Sequence, residues 1–349
     1  MTFNLLFNLL YLTFSVTFLI KSIQFYPYRF AFREPWRTAR ETLYYREGWI
    51  VEIGDNALRT GLGEAAPLDG FGMESLVETE FVLKESGRSL INTEIRNLND
   101  IENALIKYDR SPAAKHGLEL ALLHLLSQAQ GLSVSQILAN SISGEIRDFV
   151  PINAVIGAIS PERAAMKAKE YIDRGYPCLK IKVGTEDFEA DLQRVWAVRS
   201  QGRNEIQIRV DANQGWSVAA AIANLERLAF LNLEYVEQPV LASDLGGMAE
   251  VRRSQSIPIA ADESVNNLAQ LQRVIEAQAA DIIILKPMAL GGIITAKHAA
   301  TLAFQAGLDV VITTTIDGAI ARQAAFDLAA ALPIQRACGL ATGDLLIES

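Results

Sequence analysis

Hydrophobic and polar positions follow different rules in the two parts of this chain. Up to about residue 125 the pattern is strand-like first and helical afterwards. Residues 23–32 alternate with the period of a half-buried strand, and 46–53 with 57–64 read as a hairpin across Gly54-Asp55-Asn56. Helical spacing takes over at 74–86, 98–107 and 112–129. That order of elements predicts an α+β domain over 22–125. Two polar and aromatic stretches inside it, 33–42 and 66–74, read as surface connections or as a lid, since such loops often carry function. Trp36 and Phe71 are their candidate substrate contacts.

From residue 150 the rule changes to short apolar runs alternating with alanine-rich helical segments. Strands are expected at 150–155, 178–183, 207–211, 235–237, 259–262, 281–286, 310–314 and 339–342. Helices are expected between them, at 161–174, 188–199, 219–228, 268–277 and 295–306 among others. Charged residues closing successive strands recur every 24 to 29 residues, the repeat that a parallel (β/α) barrel needs. A doubly wound open sheet is the competitor, and it loses because no glycine-rich phosphate loop follows the first strand.

Residues 179–184, Leu-Lys-Ile-Lys-Val-Gly, form a short strand with aliphatics on one face and Lys180 and Lys182 on the other. Ammonium groups inside a protein need compensating carboxylates. The following strands supply them: Asp211 ends IRVD, Glu237 ends YVE and Asp262 ends IAAD, while Lys286 ends IIILK. In a (β/α) barrel, residues at the C-terminal ends of strands face the mouth, where active sites sit. Three carboxylates on adjacent strands repel one another there. A divalent cation relieves that repulsion, and all-oxygen ligation suits Mg2+, with Mn2+ as a substitute. Any one of these charges alone reads more simply as a surface residue or as the cap of the next helix. Five at successive strand ends, in the order Lys, Asp, Glu, Asp, Lys, are not explained by capping.

Composition narrows the function. Of 349 residues half are hydrophobic and 21% charged; the formal net charge is −9 and no basic block occurs, which argues against nucleic acid. Cys178 and Cys338 lie far apart with no CxxC or CxxH partner, which fits a reducing cytoplasm and neither a disulfide framework nor a zinc site. His116, His124 and His298 read as ordinary helix residues. Residues 3–20 carry no charge and are followed by Lys21, a marginal length for a membrane span. The run lacks the basic start and cleavage site of a secretory signal. Residues 1–21 are therefore an extension from a start codon set too far upstream, a membrane anchor, or an apolar tail packed on the domain. Membrane association is expected only for the anchor; otherwise the chain is cytoplasmic.

The reaction open to such groups is removal of a proton next to a carboxylate. Holding that carboxylate on Mg2+ stabilises the negative charge that develops. A lysine amine serves as base once the metal and a neighbouring ammonium, Lys180 beside Lys182, lower its pKa towards neutrality. Arg209 shares a strand face with Asp211 and either orients a metal ligand or Lys182, or makes a salt bridge inside the barrel.

The set Lys180-x-Lys182, V-D-A-N-Q-G-W at 210–216, V-E-Q-P at 236–239, A-D-E-S at 261–264 and L-K-P at 285–287 resembles the muconate-lactonizing-enzyme branch of the enolase superfamily. The likeness covers residue 22 to the C-terminus. It implies an α/β fold, a (β/α)7β TIM-like barrel over 126–349 behind an N-terminal α+β capping domain. It also implies Lys182 and Lys286 as acid/base lysines and Mg2+ on Asp211, Glu237 and Asp262. The histidine base of the mandelate-racemase branch is missing, since Thr313-Thr314-Thr315 stand on strand 7.

Within the branch, 313–322 and 338–346 resemble o-succinylbenzoate synthases, lyases that dehydrate 2-succinyl-6-hydroxy-2,4-cyclohexadiene-1-carboxylate in menaquinone and phylloquinone biosynthesis. Dipeptide epimerases of the branch resemble the chain elsewhere but carry Asp-x-Asp on strand 8 for the substrate's ammonium, where this chain has Leu340-Ala341-Thr342. The expected partner is thus a small-molecule carboxylate. Asn213, Thr313, Thr314 and Thr315 are further candidates for substrate binding or pKa tuning. N-succinylamino acid racemisation or dipeptide epimerisation on the same platform is the alternative. A membrane-tethered interaction module is the non-enzyme reading, and it leaves five buried charges unexplained.

Overall fold

This computed structural model describes residues 17–37, 42–68, 71–140, 146–202 and 205–348. The first unit is an antiparallel sheet. β1 (Phe18–Arg37) pairs with β2 (Thr42–Asp55), β2 pairs with β3 (Thr60–Ala65), and β4 (Glu94–Ile95) pairs with the start of β1. Asp55 makes the β2–β3 turn: its Oδ1 accepts from the N–H groups of Ala57 and Arg59 at 2.8 and 2.9 Å, while Leu58 takes φ +63°. The expected hairpin is present, with its turn at 56–59.

Helices Leu76–Ser89, Leu98–Leu105 and Pro112–Gln130 complete the cap. Helix Pro112–Gln130 lies on β3 so closely that a Cβ on Gly63 would stand 1.9 Å from the Gly117 carbonyl oxygen. Glycine at 63 is what permits that approach. His116 and His124 reach from this helix to β3, His116 Nδ1 lying 2.8 Å from Glu64 O and His124 Nδ1 accepting from Leu62 N–H at 3.2 Å.

Two expectations change here. The stretch 33–42, read as a loop, is strand up to Arg37 and again from Thr42, because β1 and β2 resume pairing at Trp36↔Leu43 after a register shift. Residues 38–41 lie outside the described residues. β1 also begins at Phe18, inside the run assigned to a separate extension, and Phe18 and Ile20 are fully buried in the core. Residues 1–16, most of the candidate membrane span, lie outside the described residues. Among the described residues no helix is long and apolar enough to cross a membrane.

The second unit is a parallel sheet in sequence order: β5 (Asn153–Ile156), β6 (Cys178–Lys182), β7 (Gln207–Asp211), β8 (Val236–Glu237), β9 (Ile259–Ala261), β10 (Ile282–Leu285) and β11 (Asp309–Ile312). Cys338 and Gly339 bridge its two edges at Ile152 and Thr313. Asn153 N–H donates to Cys338 O at 2.9 Å and Gly339 N–H to Ile312 O at 2.8 Å. The eighth strand expected at 339–342 is therefore reduced to two bridges. Thr313 Oγ1 donates to Gly339 O at 3.0 Å and leaves Thr314 N–H a long 3.4 Å bond to the same oxygen, and the chain turns into a 3-10 helix at Ala341–Leu345. The architecture is a (β/α)7β TIM-like barrel with an α+β cap. β12 (Leu346–Ile347) then pairs with Phe32 and Ala31 of β1, which ties the C-terminus to the cap.

Tyr235, Ala260, Ile282, Ile284 and Val311 form an apolar cluster of their own, the barrel interior. Side chains alternate along a strand, so positions two residues further on face the same interior at the C-terminal rim. Those positions are Glu237, Asp262, Lys286 and Thr313.

Candidate active site

The rim is built by five strand ends. Lys182 ends β6, Asp211 ends β7 and Glu237 ends β8, while Asp262 and Lys286 directly follow β9 and β10. Register places them side by side, Lys182 opposite Asp211 and Asp211 opposite Glu237. Lys182 Nζ donates to Asp211 Oδ2 at 2.6 Å and to Asn213 Oδ1 at 2.7 Å. Lys180 Nζ donates to Glu237 Oε1 at 2.9 Å and lies 3.2 Å from Asp211 Oδ2. Lys286 pairs with Asp262. The two candidate acid/base lysines thus hold the outer carboxylates of a row of three, and Lys180 sits with the middle one. All five predicted residues come together at one mouth.

The three carboxylates are 0 to 4% exposed. Burial pushes Glu237 up to about 7, with the neighbouring Asp211 adding to the effect. Asp262 is raised by burial even against Lys286. Asp211 is lowered: burial opposes its ionisation, but Lys182 and Lys180 outweigh it. Burial also works against the Lys180 ammonium, yet Glu237 and Asp211 hold its pKa well above the usual lysine value. Lys180 is therefore a fixed cation of the site.

An all-oxygen set of crowded carboxylates, one of them raised to about 7 by burial and then by Asp211, fits a hard divalent cation by its chemistry. Among the described residues no three acidic, histidine or cysteine side chains are already gathered around one point. Each carboxylate is turned to a lysine instead.

The supporting residues sort out clearly. Asn213, at φ +43°, passes its Nδ2–H to Glu263 Oε1 at 3.1 Å, and Glu263 Oε2 is buried without a partner. Gln238 Oε1 accepts from the N–H groups of Asp262 and Ser264 at 3.0 and 3.2 Å, so it shapes the loop that carries Asp262. Glu263 and Gln238 were not singled out from the sequence, although each adjoins a strand-end carboxylate in a quoted motif. Lys286 Nζ lies 4.6 Å from the centroid of the Phe71 ring, which brings the cap's 66–74 segment onto the site. Residues 69–70 of that segment and the Trp36 side chain lie outside the described residues.

Arg209 does not orient a ligand. Its guanidinium points away from the rim, to Glu234 Oε2 at 2.6 Å, Asn153 Oδ1 at 3.3 Å and Ala337 O at 2.9 Å, which is the salt bridge inside the barrel. The strand 7 threonines are buried, and Thr313 and Thr315 spend their hydroxyl protons on protein acceptors, while Thr314 pairs with another hydroxyl. Thr313 bonds Gly339 O, Thr315 bonds Asp317 at 2.5 Å, and Thr314 lies 2.6 Å from Thr342 Oγ1.

Residues 163–345 match the family described as Enolase C-terminal domain-like. The chain belongs to the enolase superfamily. Residues 20–125 match the description "MenC, N-terminal domain". Among curated relatives, this enolase-superfamily enzyme is 34% identical to the L-Ala-D/L-Glu epimerase of Bacillus subtilis (strain 168), covering 85% of this chain and 81% of the relative. It is 30% identical to the N-succinyl-L-Arg/Lys racemase of Bacillus cereus, covering 89% and 84%. Identity to the o-succinylbenzoate synthase of Thermobifida fusca is higher, 41%, but extends over 58% of this chain and 62% of that one. A dipeptide epimerase from Enterococcus faecalis V583, solved with Mg and the dipeptide L-Leu-L-Tyr, superposes with a TM-score of 0.85 at 31% identity, covering 92% of this chain and 90% of that one.

Proposed function

We propose that this chain is an o-succinylbenzoate synthase, a lyase that removes water from 2-succinyl-6-hydroxy-2,4-cyclohexadiene-1-carboxylate. The observation that carries the choice is the neutral Thr314–Thr342 hydroxyl pair, 2.6 Å apart at the barrel's closing seam. A substrate ammonium needs carboxylates there. Of the acids adjoining the pair in sequence, Asp344 is spent on Arg174 and Tyr176, and Asp317 accepts from Thr315 beside Arg46. A hydroxyl pair can instead donate its spare proton to an oxygen of a succinyl group. The match of the cap to the MenC N-terminal description supports the same reading.

In this reading Asp211, Glu237 and Asp262 would hold Mg2+, which would supply a Lewis acid for negative charge on the substrate carboxylate. Lys182, as the free amine, takes the proton from the ring carbon that bears the carboxylate. The electrons of that C–H bond become the new ring double bond as the hydroxyl on the adjacent carbon departs. Lys182 returns the proton to it, so water leaves and the ring is aromatic. Lys286 keeps its proton and stabilises negative charge from the other face, with Phe71 covering it. Asn213 and Asp211 fix where the Lys182 nitrogen sits.

A second reading has its own support. Relatives matched over 85% and 89% of the chain include an epimerase and a racemase, and two lysines at opposite ends of a carboxylate row suit proton removal on one face and return on the other. The test is an ultraviolet assay of cyclohexadiene aromatisation run beside racemisation of N-succinyl amino acids and epimerisation of L-Ala-L-Glu. Aromatisation as the fastest reaction supports the synthase; epimerisation or racemisation with no aromatisation overturns it.

A further inference from the structure

Lys182 is the last residue of its strand, and its backbone is supported unevenly. On one side it pairs with Asp211 of β7. On the other side β5 stops at Ile156, whose partner is Ile181, so no strand reaches Lys182 itself. A buried ion pair on the following helix, Phe188–Gly202, takes that place. Arg194 NH1 donates to the Lys182 carbonyl at 3.1 Å and to Asp191 Oδ1 at 2.5 Å, while its Nε donates to Ile159 O, beyond the end of β5, at 2.6 Å. Asp191 in turn accepts from the N–H groups of Gly184 and Thr185 at 2.8 and 2.9 Å and from Thr185 Oγ1 at 2.9 Å. Both side chains are almost completely buried, 1% exposed for Asp191 and 5% for Arg194. The turn they hold needs glycine: Gly184 has φ +85°, and a Cβ there would meet Ala212 O at 2.4 Å.

We propose that Arg194 and Asp191 are positioning residues for Lys182, a side-chain substitute for the missing strand that fixes where the lysine's nitrogen sits at the rim. The pair bonds the carbonyl of the lysine itself together with both amides that follow Val183, the stretch of backbone from which the Lys182 side chain rises. Catalytic geometry is held to about 0.5 Å in working sites, and a 1 Å misplacement costs about 100-fold in rate. Lys182 has a long flexible stem, so a small rotation of its backbone carries Nζ off Asp211 and Asn213. Lys286 has no contact with the pair and stays in place. The proposal uses the assignment of Lys182 as base for its kinetic consequence, whereas the geometric claim stands without it.

The test compares wild type with Arg194→Lys, which keeps a cation beside Asp191 but lacks the fork that reaches Ile159 and Lys182, and with Asp191→Asn. The first measurement needs no substrate. Each folded protein, its fold checked by circular dichroism, is reductively methylated briefly, and the modification rates of Lys182 and Lys286 are compared by mass spectrometry. The Lys182 to Lys286 ratio should rise at least about threefold in Arg194→Lys; an unchanged ratio in both variants overturns the proposal. The second measurement is kinetic, with the substrate that the wild type turns over. Arg194→Lys should lose about 10- to 100-fold in kcat with KM changed less than about threefold. A full kcat at a raised methylation ratio overturns the link from Lys182 position to rate. A wild type inactive on every substrate of the proposed function tells against that function and leaves the methylation ratio to decide the positioning.

Discussion

Lys180 donates to Glu237 at 2.9 Å, so a cation of the protein already stands among the carboxylates of the mouth. Its charge is secured by Glu237 and Asp211 against the cost of burial. Two positive groups cannot both be indifferent to the same oxygens. The Lys180→Met variant removes one unit of repulsion from a neighbouring divalent cation, and a charge pair at such distances is worth more than 1 kcal/mol even in a partly screened site. Calorimetry should show Mg2+ binding about tenfold tighter than in wild type; weaker binding would mean that Lys180 organises the carboxylates rather than competing at them.

Metal removal provides a second check. A chelator should abolish turnover, and Mg2+ at a hundred times its Kd should restore it and stabilise the fold by about 2.7 kcal/mol. A rate unaffected by chelation would take the metal out of the account.

Glu119 predicts a pH dependence of stability away from the mouth. It is buried and accepts from Ile294 N–H at 2.9 Å, where cap meets barrel, and burial raises its carboxyl from 4.5 to about 7. A raised folded-state value means that the unfolded chain releases this proton first. Stability is therefore lost as pH climbs from about 4.5 to about 7, and the loss persists above that. Glu119→Gln keeps an acceptor for Ile294 and removes the titration. Its stability relative to wild type should grow between pH 5 and pH 8 by about 3 kcal/mol at most. A difference that stays constant with pH contradicts the assignment.

How much of this was legible in the sequence depends on distance along the chain. Lys182, Asp211, Glu237, Asp262 and Lys286 stood out because each closes an apolar run at the rim end of a strand, which is a local pattern. The partners of Arg209 did not, because Ala337 lies 128 residues away and Asn153 lies 56 away, and only barrel closure brings them together. In the stretch read as a loop, residues 33–37 and Thr42 are strand, with Trp36 and Arg37 paired to Leu43 and Thr42 of β2, a tertiary fact that the polar string conceals. Phe18 was assigned to a separate apolar run because burial against the cap leaves no mark that distinguishes it from a membrane segment. Asp191 and Arg194 look like ordinary helix charges, and nothing in the string reveals that they face inwards.

Arg209 itself can be tested as a structural residue. Arg209→Met leaves Glu234 short of one of its two arginine partners in a buried site; Arg336 remains at 2.9 Å. Removing one member of a buried pair costs about 3 to 5 kcal/mol. The melting temperature should fall while kcat of the folded enzyme stays within about twofold; a large kcat loss with an unchanged melting temperature would restore Arg209 to the active site.

The central claim is that Lys182, held on Asp211 and Asn213 at the rim, removes the substrate's proton. It is tested most directly by kcat of Lys182→Ala on the cyclohexadiene substrate, with folding monitored alongside. General-base catalysis contributes about 10²- to 10⁴-fold; the account predicts a loss at the upper end of that range in a variant that still folds, although losing the Lys182 partner of buried Asp211 lowers its melting temperature. Turnover within tenfold of wild type in a folded variant would contradict it.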